Sequence, residues 1–378
     1  MGSHKDARRS SNGSSCAYVA FQEMNHWANS VHILAMCDAL TTSGVHTELL
    51  MYPPASEETP GAGELQQRYG LNNTPQISWI PHDANRGVRC LRVVVESSRA
   101  SRRCAYAYSR SALPALGALL GGAHHVFLEF HMPDQSRSNR LAFSLVRHSR
   151  RLHIVCISRR LAGMIARQYG LDEATLIVEH TGHSFPIRDD YRVESGAGRR
   201  LCAMYVGLLA PGRGLDTILE LAERHPKVDF RVVGPGQAPP GPRPDNVVVQ
   251  APVPHAEVRE LLAQADILLM PYARNAMLPD GHGGTAEYCS PLKMFEYLSA
   301  GRSIIASDLP SIAEILVDEE NCLLVDPDSV EQWSTALGRL EHDAGLRVRL
   351  ARGAVETAGR HTIVGRVGRM LQQVGTAG

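Results

Sequence analysis

The sequence predicts an α/β protein made of two doubly wound domains in tandem, and three observations carry that prediction. With 378 residues, the chain exceeds what one hydrophobic core usually serves, roughly 100 to 200 residues per domain. Apolar runs of strand length alternate with helix-length runs along nearly all of it. The alternation breaks once, at the polar, glycine-containing "IRDDYRVESGAG" (187–198), and then starts afresh. The predicted organisation is a disordered tail at 1–14, a Rossmann-like domain at 15–187, a linker at 188–198, a second Rossmann-like domain at 199–360, and a C-terminal helix at 361–378 packing back on the first domain.

In the first half, "CAYVAF" (16–21) predicts a short buried strand and "NSVHILAMCDALTTSG" (29–44) the helix it feeds. Val31, Leu34, Met36, Ala39 and Leu40 approximate a 3.6-residue period, and Gly44 marks the stop. "VHTELLMY" (45–52) is a second strand, so the unit is βαβ and a parallel sheet follows. "HHVFLEFH" (124–131) and "RLHIVCIS" (151–158) read as further strands, with "RRLAGMIARQYG" a helix ending at Gly170. After the linker come strand "LCAMYVGLL", helix "GLDTILELAERHP", strand "DFRVVG", strand "NVVVQAPV", helix "HAEVRELLAQA" and strand "DILLMPY". The glycine-rich "NAMLPDGHGGTAEYC" (275–289) precedes a helix, strand "SIIAS", helix "SIAEIL", strand "CLLVDP" and helix "SVEQWSTALGRLEHDAG" (329–345).

Composition narrows the class. No run of about 18 uncharged apolar residues offers a membrane span. The basic N-terminus lacks the apolar stretch of a secretory signal, and Asp6 breaks the myristoylation pattern. The eight cysteines form no C-x-x-C pair and mostly sit in apolar segments, which predicts reduced thiols in a cytoplasmic protein. Charge is balanced overall, 39 basic against 39 acidic, but Arg86 to Arg160 holds 14 arginines and 3 acids. That stretch either meets an anionic membrane surface or forms ordinary solvated faces; both stay open. No nucleic-acid partner is expected. No G-x-G-x-x-G follows the first strand, where the sequence is "FQEMNHW", which argues against a nicotinamide dehydrogenase.

The segment "CSPLKMFEYLSAG" (289–301) carries the most chemistry. Ser290 suits the N-cap, Pro291 the first helical position and Gly301 the left-handed stop, so a helix beginning at Ser290 is expected. Its free N–H groups and dipole make an anion site, with Lys293 one turn in. Glu296 lies about 9 Å along the axis, a span that suits a diphosphate at the helix end and a ribose on the carboxylate. The alternative is a Lys293/Glu296 pair on a solvated face, worth about 0.2 to 0.5 kcal/mol.

The longer stretch "SPLKMFEYLSAGRSIIASDLPSIAEIL" (290–316) resembles the donor-binding segment of retaining glycosyltransferases of family 4, the glycosyl transferases group 1. The resemblance runs, in the family's order, through "NSVHILAMCDAL", "EFH", "ISRRLAGMIARQYG", "YVGLLAPGRGLDTILELA", "FRVVGPG" and "DILLMPY". It implies the GT-B fold, two Rossmann-like domains facing a central cleft, with the acceptor on the first and a nucleotide diphospho-sugar on the second. It implies net retention, a hydroxyl acceptor, no metal ion and no cofactor. Glu296 matches the ribose-binding glutamate, and Arg213 in "PGRG", with Gly214 beside it, the residue contacting the diphosphate. Gly207 is where the backbone passes the donor, and Ser290, Pro291, Leu292 and Lys293 line the same site. His131 matches a histidine near the transferred sugar, while Asn25, His26, Asn29, Ser30, His32, Ser158 and His183 occupy cleft or acceptor positions.

Two departures qualify the match. Tyr288 stands where the family usually has its first motif glutamate, leaving Glu287, backbone amides or the preceding loop to contact the sugar. Leu208 stands in place of a frequent arginine, so diphosphate binding leans on Arg213 and the helix end. The expected reaction is hexosyl transfer by front-face displacement, in which the departing diphosphate oxygen takes the acceptor proton. A nucleotide-sugar 2-epimerase and a non-catalytic nucleotide-sugar-binding subunit are the alternatives. The expected location is the cytoplasm, with or without a peripheral contact at the inner membrane face.

Overall fold

The computed structural model describes residues 14–25, 28–55, 58–82, 85–102, 104–133, 136–188, 199–236, 241–275 and 285–375. The tail expected at 1–14, save Ser14, and the linker at 188–198, save Arg188, lie outside the described residues, as do His26 and the loop 276–284.

The first half runs β1 (Ser15–Glu23), α1 (Ala28–Thr42), β2 (His46–Tyr52), α2 (Ala62–Tyr69), β3 (Gln76–Trp79), α3 (Arg86–Ala100), β4 (Tyr106–Ser109), α4 (Ala112–Gly121), β5 (His125–Phe130), α5 (Arg137–Val146), β6 (Leu152–Cys156), α6 (Arg159–Tyr169) and β7 (Ile177–Val178). Its strands form one parallel sheet in the order β3-β2-β1-β4-β5-β6-β7. Helices cover both faces, which is why the central strands read as continuous apolar runs. Val19 faces one core with residues of α3 to α6, whereas its neighbours Tyr18 and Ala20 face another with α1 and α2.

The second half runs β8 (Cys202–Val206), α7 (Leu215–Arg224), β9 (Asp229–Val233), β10 (Val247–Gln250), α8 (His255–Leu262), β11 (Ile267–Met270), α9 (Leu292–Ser299), β12 (Ser303–Ser307), β13 (Leu323–Val325), α10 (Val330–His342), α11 (Ala344–Arg360) and α12 (Ile363–Gly375). Its sheet is also parallel, in the order β10-β9-β8-β11-β12-β13. Each sheet thus reverses its strand order once, between β1 and β4 and between β8 and β11. Crevices at the carboxyl ends of such strands are where doubly wound folds bind ligands. After α11 the chain returns to the first half: His183 and Thr362 form a parallel bridge, and Ile363, Val367, Met370 and Val374 of α12 join the core under α1.

Three local expectations need correction. "SIAEIL" (311–316) is a series of turns, closed by bonds such as Ile315 N–H to Ile312 O (3.0 Å), and no longer ladder develops before the bridge at Asp318. The single helix expected at 329–345 is two: Asp343 is extended and accepts the Leu346 N–H at 2.8 Å, capping α11. Finally, α9 begins at Leu292 with Pro291 as its N-cap, not at Ser290, whose hydroxyl is engaged elsewhere. The expected stop holds, since Gly301 has φ +65°. No described helix is long and apolar enough to cross a membrane.

Candidate active site

At the second switch point, β8 and β11 deliver Tyr205 and Tyr272, and α9 delivers Lys293. The Lys293 Nζ lies 3.9 Å from the Tyr205 ring centroid and 4.5 Å from that of Tyr272, and the Arg213 guanidinium lies 4.9 Å from the latter. Lys293 Nζ is out of solvent and has no hydrogen-bond partner among the described residues. Burial, then the neighbouring Arg213 charge, hold its pKa well below the usual lysine value, with Glu296 acting the other way. Ring contacts return about 0.5 to 2 kcal/mol, against several for desolvating an ammonium. Two cations share one aromatic ring here, so the arrangement calls for an anion. Gly207 keeps the space open, since a Cβ there would sit 3.0 Å from Lys293 Nζ. Gly214, at φ +82°, starts α7 so close to β11 that a Cβ would lie 2.0 Å from Pro271 O. That approach sets Arg213 beside Tyr272.

Glu296, one turn after Lys293, is buried and turns away from it. Its Oε1 accepts from His255 Nε2 at 2.7 Å, at the start of α8. Burial works to lower the His255 pKa, but the hydrogen bond and charge of Glu296 outweigh it and raise it. The His255 ring stacks on Phe185, centroids 5.0 Å apart, and its Nδ1 lies 3.4 Å from Tyr69 O of the first domain. The solvated Lys293/Glu296 pair is therefore absent: the two charges have separate surroundings.

In the first domain, Glu129 projects from β5 with four donors on its carboxylate. Oε1 meets His131 Nε2 and, at 3.1 Å, His32 Nε2; Oε2 meets the Tyr108 hydroxyl and, at 2.7 Å, Arg366 Nη2 from α12. Burial acts to raise the Glu129 pKa, but Arg366 and the histidines outweigh it and hold it well below the carboxylate range. Burial, then Arg110, bring the His131 pKa down to about 3, so its imidazole is neutral at ordinary pH. His32, Glu129 and His131 offer ligand atoms within 4.8 Å of one another, a geometry that admits a cation. Arg366 already supplies positive charge to Glu129, and its presence with Arg110 disfavours a second cation there.

The remaining expected residues fall into two groups. Ser30 is buried and exchanges hydrogen bonds with Asn25, receiving its N–H at 3.0 Å, while exposed Asn29 accepts from Arg110 Nη2 at 3.4 Å; these shape the entry to α1. Ser158 caps α6 and donates to Tyr288 O across the domains at 2.8 Å. Ser290 accepts the Thr181 N–H at 3.1 Å, and the Thr181 hydroxyl donates to Ser290 O at 2.8 Å. Leu292 and Tyr288 are half-buried against first-domain cores. His183 does not open on the cleft: it is buried, with its ring nitrogens 3.0 Å from Phe185 O and 3.1 Å from Ala358 O, where the chain re-enters the first domain. Glu287 is exposed on a short turn after the 276–284 loop.

Sequence reasoning missed Tyr205, Tyr272, His255, Glu129 and Arg366. Some signal existed. Glu129 is a lone acid in an apolar strand, and Arg366 interrupts the buried stripe Ile363, Val367, Met370. That two such residues meet is a tertiary fact.

Residues 202–343 match the family model of the glycosyl transferases group 1. The match spans β8 to α10 of the second domain. No curated protein matches it in sequence. Among solved structures, sucrose-phosphate synthase from Thermosynechococcus elongatus is similar with a TM-score of 0.68 at 12% identity, over 97% of this chain and 100% of that one. HepE from Anabaena, in complex with UDP-glucose, has a TM-score of 0.68 at 12% identity, over 96% and 100%. The lipopolysaccharide outer core galactosyltransferase WaaB, in its apo form, has a TM-score of 0.65 at 13% identity, over 96% and 99%. The chain thus has the GT-B fold over nearly its whole length.

Proposed function

We propose that this group 1 glycosyltransferase, of the retaining family 4 type, moves a hexose from a nucleotide diphospho-sugar to an acceptor hydroxyl without a metal ion. One observation carries the reading: the buried Lys293 ammonium beside Arg213 at the β8/β11 switch point, with no hydrogen-bond partner among the described residues. A diphosphate there answers both charges, and the N–H groups at the start of α9 add donors. Glu296 lies one turn on for the ribose, and the HepE relative holds UDP-glucose on the same fold.

The charge that develops on the departing diphosphate falls on Lys293 and Arg213, which need no reorganisation to receive it. Glu129, the buried carboxylate beside His131, has both oxygens engaged by four donors and so makes a poor nucleophile. This supports front-face displacement over a covalent intermediate. The Ser158–Tyr288 and Thr181–Ser290 contacts join the domains. Glu287 and the adjoining loop are the candidates for contacting the sugar.

The test is a thermal-shift screen of nucleoside diphosphates and their sugars, then product analysis with hydroxyl acceptors. Stabilisation by a nucleotide sugar with glycoside formed at retained configuration supports the reading. Release of an altered nucleotide sugar without acceptor replaces it with an epimerase, and binding without turnover with a non-catalytic subunit.

The same reading includes a peripheral contact with an anionic membrane at the inner, cytoplasmic face. The eight free thiols fit a reducing compartment. Exposed Leu91 of α3 and exposed Leu141 and Leu145 of α5 lie among the arginines of residues 86–160, on helices covering one face of the first sheet. Apolar side chains amid cationic ones suit a lipid headgroup boundary. Sedimentation with anionic but not zwitterionic vesicles, weakened by salt, is the expected result; equal sedimentation with both removes the electrostatic part.

A further inference from the structure

His131 presents one nitrogen to Glu129, and the polarity of that contact decides what the other nitrogen can do. Glu129 Oε1 is an acceptor with His131 Nε2 against it, so Nε2 carries the proton and Nδ1 carries the lone pair. Glu129 cannot reverse this, because Arg366, which only donates, occupies its other oxygen at 2.7 Å. Arg366 is fully buried and is itself fixed, with Nη2 3.3 Å from Glu179 O and Nη1 3.0 Å from Met36 Sδ. His32 shares Oε1 at 3.1 Å, nearer than its 3.5 Å contact with Arg366 Nη1, and so takes the same tautomer. Its Nδ1 is a buried acceptor with no partner among the described residues. The two imidazoles meet edge to face, centroids 5.3 Å apart.

We propose that Glu129 and Arg366 are positioning residues that lock His131 in the Nε2–H tautomer, making its Nδ1 a hydrogen-bond acceptor for a hydroxyl of the sugar or acceptor. Arg366 reaches this site from α12, so the end of the chain sets the tautomer of a histidine in the first domain. The inference rests on the glycosyl-transfer reading for its hydroxyl ligand, but not for the tautomer.

Long-range ¹H–¹⁵N correlation spectra of histidine-labelled protein report the tautomer directly. His131 is expected as Nε2–H, with Nδ1 unprotonated between about pH 5 and 8. In Glu129→Gln, Arg366 retains the amide oxygen and the NH₂ faces the histidines, so Nε2 becomes the acceptor and His131 switches to Nδ1–H. Turnover should then fall about tenfold to a hundredfold while nucleotide affinity stays within about twofold. A wild-type Nδ1–H signal overturns the proposal, as does a tautomer switch with unchanged turnover. If Glu129→Gln does not fold, Arg366→Lys, which keeps a donor on Glu129, must retain the wild-type tautomer; a switch there also overturns it. A chain that transfers no sugar but shows the expected tautomers defeats the functional reading alone.

Discussion

The Lys293 ammonium lies 4.5 Å from the Tyr272 ring centroid, with the Arg213 guanidinium 4.9 Å from the same ring. Replacing Lys293 by Met keeps the stem and removes the charge. The ligand-free protein should gain about 1 to 3 kcal/mol of stability and lose at least about tenfold in nucleoside diphosphate affinity. The stability gain has a pH signature. The folded-state pKa of Lys293 is lowered, so the unfolded chain binds more protons between that value and the ordinary lysine value, and wild-type stability rises with pH across that window. The penalty is full below the window and absent above it. Urea denaturation of both proteins at pH 7 and 9 should show their difference narrowing as pH rises.

Nucleotide binding should take up a proton. A diphosphate favours the charged form of Lys293, so any neutral fraction in the free protein protonates on binding and affinity falls as pH rises through the lysine's lowered pKa. Calorimetry in two buffers of different ionisation enthalpy measures the uptake. Zero uptake at every pH, with Lys293→Met unchanged in affinity, would remove the diphosphate from this site. Arg213→Ala should lower kcat as well as donor affinity.

Glu296→Gln separates the carboxylate from its shape. Donor KM should rise about tenfold or more as the ribose loses a charged acceptor. The His255 pKa should fall as well, since the Glu296 hydrogen bond and charge hold it up. Histidine titration by NMR reads the second effect without substrate; an unmoved His255 would mean that the pair does not persist in solution.

Glu314 ties the two domains together. It accepts the Arg159 and Arg160 N–H groups at 2.8 and 3.0 Å, at the start of α6, and pairs with His180 at 3.0 Å. Burial acts to raise its pKa, but His180 and the two backbone donors outweigh it and lower it. The contact therefore persists above the lowered pKa and is lost as pH falls through it. Glu314→Ala should enlarge the radius of gyration of the ligand-free protein in small-angle scattering, with nucleotide partly reversing the change. An unchanged radius would mean that the Ser158–Tyr288 and Thr181–Ser290 contacts hold the domains together without Glu314.

Much of this fold is legible along the chain because it is local. The stop at Gly301 and the five-residue strand "SIIAS" follow from neighbouring residues alone, whereas the period expected in α1 does not mark a face, since every residue from Ser30 to Leu40 is buried. The helix start at Ser290 was misplaced for a related reason: its hydroxyl serves a cap equally well in isolation, but Thr181, 109 residues away, takes it. "SIAEIL" has helix-like composition but closes only turns, because the chain must reach the bridge at Asp318. His183 looked available in sequence and is consumed by two carbonyls at the domain return.

By itself, the sequence determined two doubly wound domains and a glutamate one turn beyond a lysine on α9, since helix and strand patterns are read within a few residues. Tertiary structure decided what those charges do. It sent Glu296 to His255, buried Lys293 between Tyr205 and Tyr272, and carried Arg366 from the last helix to Glu129 in the first domain. A residue's type fixes which bonds it can make, but its partner depends on which distant strands and helices the topology brings to the same switch point.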